Sequence, residues 1–160
     1  MSHTTARLGM DLEVPSTAQF DRELSRNALG VCQEKKDHFI NKNGVRCAGT
    51  HLIIDLYDAC RDRLDDINHI EHALLECVEK AGATLLHIHL HRFEPNGISG
   101  VAVLAESHIS IHSWPENGYA ALDVFMCGDS HPERCIDVLR DAFKPQRTGV
   151  SEILRGQSVG

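Results

Sequence analysis

The 160-residue sequence has no excess of positive charge, no long apolar run, no paired-cysteine motif and no standard hydrolase or metalloprotease signature. Each absence removes a class of function. The formal net charge is −7, and no local basic patch offsets it, so a nucleic-acid surface is not expected. The apolar runs fall far short of the roughly 20 residues that a spanning helix needs. The N-terminus lacks the basic-then-apolar layout of a secretory leader, which makes the cytoplasm the expected location. Six cysteines (32, 47, 60, 77, 127 and 135) form no CxxC pair and show no regular spacing, so reduced thiols are expected. There is no HExxH and no GxSxG.

What is present begins after about residue 44. Residues 1–44 are polar, charged and weakly periodic, and read as a partly disordered extension with a short helix around 20–29. Asn41-Lys42-Asn43-Gly44 is a turn signal, and residues 45–160 form the expected domain. Within it, 50–57 reads as a strand. A helix capped by Asp65 follows, with Ile67, Ile70, Leu74 and Val78 at helical spacing and Gly82 as its stop. Strands are expected at 84–93, 100–105 and 119–126, with 108–113 continuing the third or forming a new one, and a last strand at 149–154. Ser130-His131-Pro132-Glu133 has the pattern of a capping box before a helix that runs to Phe143. The order β-α-β-β-β-α-β predicts an α+β two-layer sandwich, a mostly antiparallel sheet with its helices packed on one face.

The most informative stretch is Glu106 to Glu116. Alternation puts His108, Ser110 and His112 on one face of a strand and Ile109 and Ile111 on the other. Polar groups on such a face are costly unless they have partners or work to do. Cys127 ends the next apolar run, so serine, histidine, glutamate and cysteine are expected to converge near two neighbouring strands. His87, His89 and His91 alternate with Ile88 and Leu90. With His108 and His112 they could hold a metal, or simply line the wetter face of the sheet. Ser107 lacks a hydrolase elbow, and Gly97-Ile98-Ser99-Gly100 leads into a strand, so no helix N-terminus backs it as a phosphate loop. A serine in a tight strand connection has another use. It can attack its own preceding carbonyl to give an ester, lose its α-proton to a nearby base, and break the chain by β-elimination. The new N-terminus then hydrolyses to a ketone, an electron sink made from the protein itself.

Residues 49–128 resemble the S-adenosylmethionine decarboxylase proenzymes in their short prokaryotic, pyruvoyl-dependent form. The resemblance rests on ordered blocks: His91-Arg92-Phe93, Gly97-Ile98-Ser99-Gly100, Ala105-Glu106-Ser107-His108, Ile111 to Glu116, Gly118 to Ala121 and Asp123 to Gly128. It implies self-cleavage between Glu106 and Ser107, giving chains 1–106 and 107–160. Ser107 would become a covalent pyruvoyl group that forms a Schiff base with substrate. His112 matches the processing base, Ser99 a serine that assists processing, and Cys127 the proton donor to the substrate carbon. Phe93 matches the aromatic that stacks on adenine, and Glu116 the carboxylate that holds the ribose hydroxyls. No metal is implied. The implied substrate is S-adenosylmethionine, the product is the aminopropyl donor for spermidine, and the assembly is a homodimer of cleaved protomers. Gly49-Thr50-His51 departs from a frequent Gly-Arg-His. Two rivals stand beside this reading. One is the same pyruvoyl chemistry acting on arginine or ornithine, and the other is a non-enzymatic, histidine-rich metal-binding dimer.

Overall fold

Strand alternation organises the molecule. In the computed structural model, which describes residues 39–157, alternate residues of the inner strands are mostly buried and the intervening ones stay accessible, while the two edge strands have no fully buried residue. A hairpin of β1 (Ile40–Lys42) and β2 (Val45–Cys47) comes first, turning at Asn43-Gly44. The main body follows: β3 (Gly49–Tyr57), a one-turn helix α1 (Arg61–Leu64), α2 (Ile67–Ala81), β4 (Leu85–Arg92), β5 (Ile98–Leu104), β6 (Ser107–Trp114), β7 (Tyr119–Met126), α3 (Arg134–Phe143) and β8 (Arg147–Arg155). Residues 108–113 thus belong to a new strand. The six long strands form one sheet in the order β4-β5-β6-β7-β3-β8, with every neighbouring pair antiparallel. The expected division after residue 44 falls inside the β1–β2 hairpin, whose Lys42 pairs with Glu152 of β8 at 2.9 Å. The helix expected at 20–29 lies outside the described residues.

The two long helices, α2 and α3, cover one face of the sheet, giving the α+β two-layer sandwich. The core joins Leu52, Ile54, Ile109, Ile111, Leu122 and Val124 from the strands to Ile70, Leu74, Cys77, Leu139 and Phe143 from the helices. Each such large side chain contributes about 1.5–3 kcal/mol on leaving water. Arg63 and His69 both reach the carbonyl of Ala142, at 2.7 and 2.9 Å, satisfying the C-terminal end of α3. The opposite face stays open, and Ile53, Val103, Trp114 and Ile153 are exposed on it.

Two helix starts differ from expectation. Asp66, not Asp65, caps α2, accepting from the amides of Asn68 and His69. No capping box forms before α3. Its N-cap is Glu133 without a side-chain bond, and the Ser130 hydroxyl instead donates to the Cys127 carbonyl at 2.8 Å.

Candidate active site

The β5–β6 connection is the two-residue turn Ala105-Glu106. It is tied to the start of β4: the Ala105 amide donates to the Thr84 carbonyl at 3.0 Å, and the Glu106 carboxylate accepts from the Thr84 amide at 2.8 Å. The Glu106 carbonyl points at the end of β7, where it accepts from both the amide and the thiol of Cys127, each at 3.0 Å. Ser107 has φ 146°, a region that non-glycine residues avoid. Such a conformation stores about 1–3 kcal/mol. The Glu106–Ser107 bond therefore joins a strained residue to a carbonyl already held by two donors, an arrangement that favours negative charge developing on that oxygen. Burial, with the Glu106 carboxylate nearby, pushes the Cys127 thiol up from 9.0, against the partial pull of a backbone hydrogen bond. The thiol thus stays protonated around neutral pH, as a proton donor must.

The other expected residues lie elsewhere. Ser99 and His112 face each other in the β5–β6 register, Oγ to Nδ1 at 2.6 Å, on the open face. Phe93 follows β4, half-exposed, with its ring edge-on to His91 at 4.8 Å. Glu116 sits in the 3-10 turn Pro115–Asn117 after β6. Five residues of extended strand separate Ser107 from His112, about 16 Å. Serine, histidine, glutamate and cysteine do converge on β6 and β7, as Ser107, His108, Glu106 and Cys127, but the residues implied by the resemblance divide between the two ends of β6. Glu106, Ser107 and Cys127 come together at one end of β6, while Ser99, His112, Phe93 and Glu116 occupy the other.

Sequence reasoning gave Asp65 and His51 no part in the site and weighed His108 only as a possible metal ligand. Asp65, released from the capping role, braces the loop that carries Phe93. Its carboxylate accepts from Arg92 at 2.7 Å and from the Gly97 amide at 3.1 Å, and its carbonyl takes a second Arg92 bond at 2.7 Å. A cleft of about 210 Å³ opens beside it, lined by Arg61, Asp62, Asp65, Asn96, Pro115 and Glu116. No signal distinguishes Asp65 from Asp66 in a doublet. His51 lies on the open face with its ring beside Phe125 and edge-on to His108. Its Nδ1 accepts from Arg155 at 3.1 Å. Its buried Nε2 lies 3.3 Å from Asp123 without hydrogen-bond geometry. Thr50, at the departure from Gly-Arg-His, is buried in the helix-side layer. His108 has its Nδ1 3.3 Å from the Ser107 hydroxyl. The ladder His87, His89 and His91 is exposed on the edge strand β4, and among the described residues no group of three or more His, Cys, Asp or Glu side chains is arranged to hold a metal.

The family model described as S-adenosylmethionine decarboxylase matches residues 50–156. The match makes the chain an enzyme of the decarboxylase class. It belongs to the S-adenosylmethionine decarboxylase family. It is 48% identical over 112 residues to the S-adenosylmethionine decarboxylase proenzyme of Methanococcus aeolicus, covering 69% of this chain and 96% of that one. It is 50% identical over 108 residues to the proenzyme of Parasynechococcus marenigrum, covering 67% of this chain and 84% of that one. The crystal structure of the adenosylmethionine decarboxylase from Aquifex aeolicus superposes with a TM-score of 0.64 at 36% identity, covering 69% of this chain and 92% of that chain. Neither the amino-acid decarboxylase rival nor the metal-binding rival finds support among these relatives.

Proposed function

We propose that this chain is a self-processing, pyruvoyl-dependent decarboxylase that acts on S-adenosylmethionine and supplies the aminopropyl donor for spermidine. One observation carries the reading: the strained Ser107 follows a carbonyl cradled by Cys127, at the junction where the family resemblance implies cleavage. The fit to a pyruvoyl group rests on the same atoms. Attack by the Ser107 hydroxyl on the Glu106 carbonyl relieves the strained geometry, and the Cys127 amide and thiol hold the oxygen that becomes negative. Removal of the serine α-proton then breaks the ester by β-elimination, leaving residues 1–106 with a Glu106 carboxylate and residues 107–160 with a dehydroalanine N-terminus, which takes up water and loses ammonia to become the pyruvoyl group. The pyruvoyl group so left would supply the carbonyl that takes up the substrate amine and draws off electrons as carbon dioxide leaves. Cys127 delivers the replacing proton. Phe93 offers its exposed face to adenine, and Glu116 its carboxylate to the ribose hydroxyls.

His112 and Ser99 cannot reach Ser107 within one protomer, so in this reading they act across a homodimer. His112 of the partner subunit, oriented by Ser99 of the partner subunit, removes the α-proton. The open sheet face is the surface available for that pairing. The catalytic domain is taken to include the whole β1–β2 hairpin and so to begin before residue 45, with the preceding residues as an extension. The cytoplasm suits a thiol proton donor, and Cys47, Cys60, Cys77, Cys127 and Cys135 are all free.

Intact-protein mass under denaturing conditions tests the reading. The parent chain should give two fragments split between Glu106 and Ser107, the second with a pyruvoyl N-terminus, and Ser107→Ala should stay whole. Carbon dioxide release from S-adenosylmethionine, with arginine and ornithine as controls, then tests the substrate. A parent chain that stays at 17.8 kDa on prolonged incubation overturns the reading.

A further inference from the structure

The geometry points to His108 as the general base for the first processing step, the shift of the acyl group from the Ser107 nitrogen to its oxygen. The inference rests on the self-cleavage proposed above and adds a catalytic residue to it.

Neighbouring residues on a strand point to opposite faces and do not normally touch. Ser107 and His108 do touch, Oγ to Nδ1 at 3.3 Å. The left-handed φ of 146° at Ser107 breaks the alternation, so the strain also has a positioning result. It brings the hydroxyl to the imidazole. Catalytic hydrogen bonds are often this long before the reaction tightens them. The ring of His108 is fixed by edge-on contacts with Phe125 at 6.1 Å and His51 at 6.4 Å.

The other groups near the bond are otherwise engaged. Cys127 donates to the Glu106 carbonyl, and the Glu106 carboxylate accepts from Thr84. His112 of the same chain lies about five residues of strand away, roughly 16 Å. Among the described residues, His108 Nδ1 is the basic atom hydrogen-bonded to Ser107 Oγ.

The step balances without a co-reactant. The Oγ proton passes to Nδ1 as Oγ bonds to the Glu106 carbonyl carbon. The resulting oxyanion is held by the Cys127 amide and thiol. The carbon–nitrogen bond then breaks, its electron pair stays on the Ser107 nitrogen, and that nitrogen takes the proton back from His108. The products are an ester and a free amine, and the base that later removes the α-proton acts on a different bond.

Amide and ester have the same mass, but hydroxylamine cleaves only the ester. His108→Ala and His108→Gln are compared with His112→Ala, with thermal unfolding checked for each. The expected result is cleavage slowed about 100-fold or more in both His108 variants, in line with general-base contributions. Their unsplit chains should resist hydroxylamine, whereas His112→Ala should accumulate chain that hydroxylamine splits after Glu106. The double variant His108→Ala/His112→Ala should resist hydroxylamine as well. Wild-type cleavage rates in both folded His108 variants would overturn the inference, and so would ester accumulation in the double variant. A parent chain that never splits would sink the processing itself, and this assignment with it.

Discussion

Replacing Asp65 with alanine should weaken substrate capture while sparing self-cleavage and the chemical step. The Asp65 carboxylate holds the 93–97 loop through two bonds, one to the Arg92 guanidinium at 2.7 Å and one to the Gly97 amide at 3.1 Å. The ion pair is partly exposed, with side-chain accessibilities of 44% for Arg92 and 28% for Asp65, so it is worth about 0.5–1 kcal/mol. The bond to the Gly97 amide, which is buried, adds about 1 kcal/mol. Losing both removes about 1.5–2 kcal/mol of loop order, which Phe93 must then recover on binding. At about 1.4 kcal/mol per tenfold, KM should rise roughly 10- to 30-fold. Cys127 and Ser107 lie at the far end of β6, so kcat should change little. Steady-state decarboxylation and a time course of fragment appearance measure both quantities. An unchanged KM with a large fall in kcat, or slowed cleavage, would refute the assignment of Asp65 to the adenosyl end of the site.

Four further outcomes follow from the geometry. Cys127→Ser keeps the backbone amide and a hydroxyl on the Glu106 carbonyl, so fragments should still appear. Turnover should fall about 10²- to 10⁴-fold because the proton donor is poorer. With Cys127 as the proposed proton donor the protonated thiol is the active form, and burial raises its value above 9.0; activity should therefore hold through the ordinary cysteine range and decline only at higher pH, as a kcat–pH profile would record. Co-expressed Ser107→Ala and His112→Ala chains should form mixed dimers in which the His112→Ala chain is cleaved, although neither variant alone splits; no cleavage in the mixture would argue against sharing between subunits. Ser113 is buried, its hydroxyl accepting from the Ile98 amide at 2.9 Å and donating to the Leu64 carbonyl at 2.8 Å, so Ser113→Ala should cost about 1–3 kcal/mol in denaturant unfolding by leaving those groups unpaired.

The strands were legible because burial follows alternation. Ile109 and Ile111 are fully buried between the accessible His108, Ser110 and His112, as their order along the chain implies. The helix α2 was legible from Ile70, Leu74 and Val78, and its end from Gly82 in the left-handed conformation. The helix starts were not, because a serine or aspartate near a terminus has several backbone partners within reach. Ser130 bonds to Cys127, and Asp65 to a loop more than 25 residues downstream. At the site, residue types were readable while their grouping was not. The cradle on Glu106 depends on the register that sets Ser107 opposite Met126, one residue before Cys127, and register is a tertiary property. The splitting of the site into two ends follows from strand rise alone, yet shared faces had suggested shared location.

The length of strand between Ser107 and His112 bears on when a newly made chain matures. If each bond needs a histidine from another molecule, a solitary copy stays dormant however long it waits, and the lag before activity lengthens as chains become scarcer. Maturation then counts molecules: doubling the supply of fresh chain at low abundance should raise the initial yield of finished enzyme about fourfold, the signature of a second-order encounter. Once pairs are saturated, the dependence disappears and each pair ripens on its own clock.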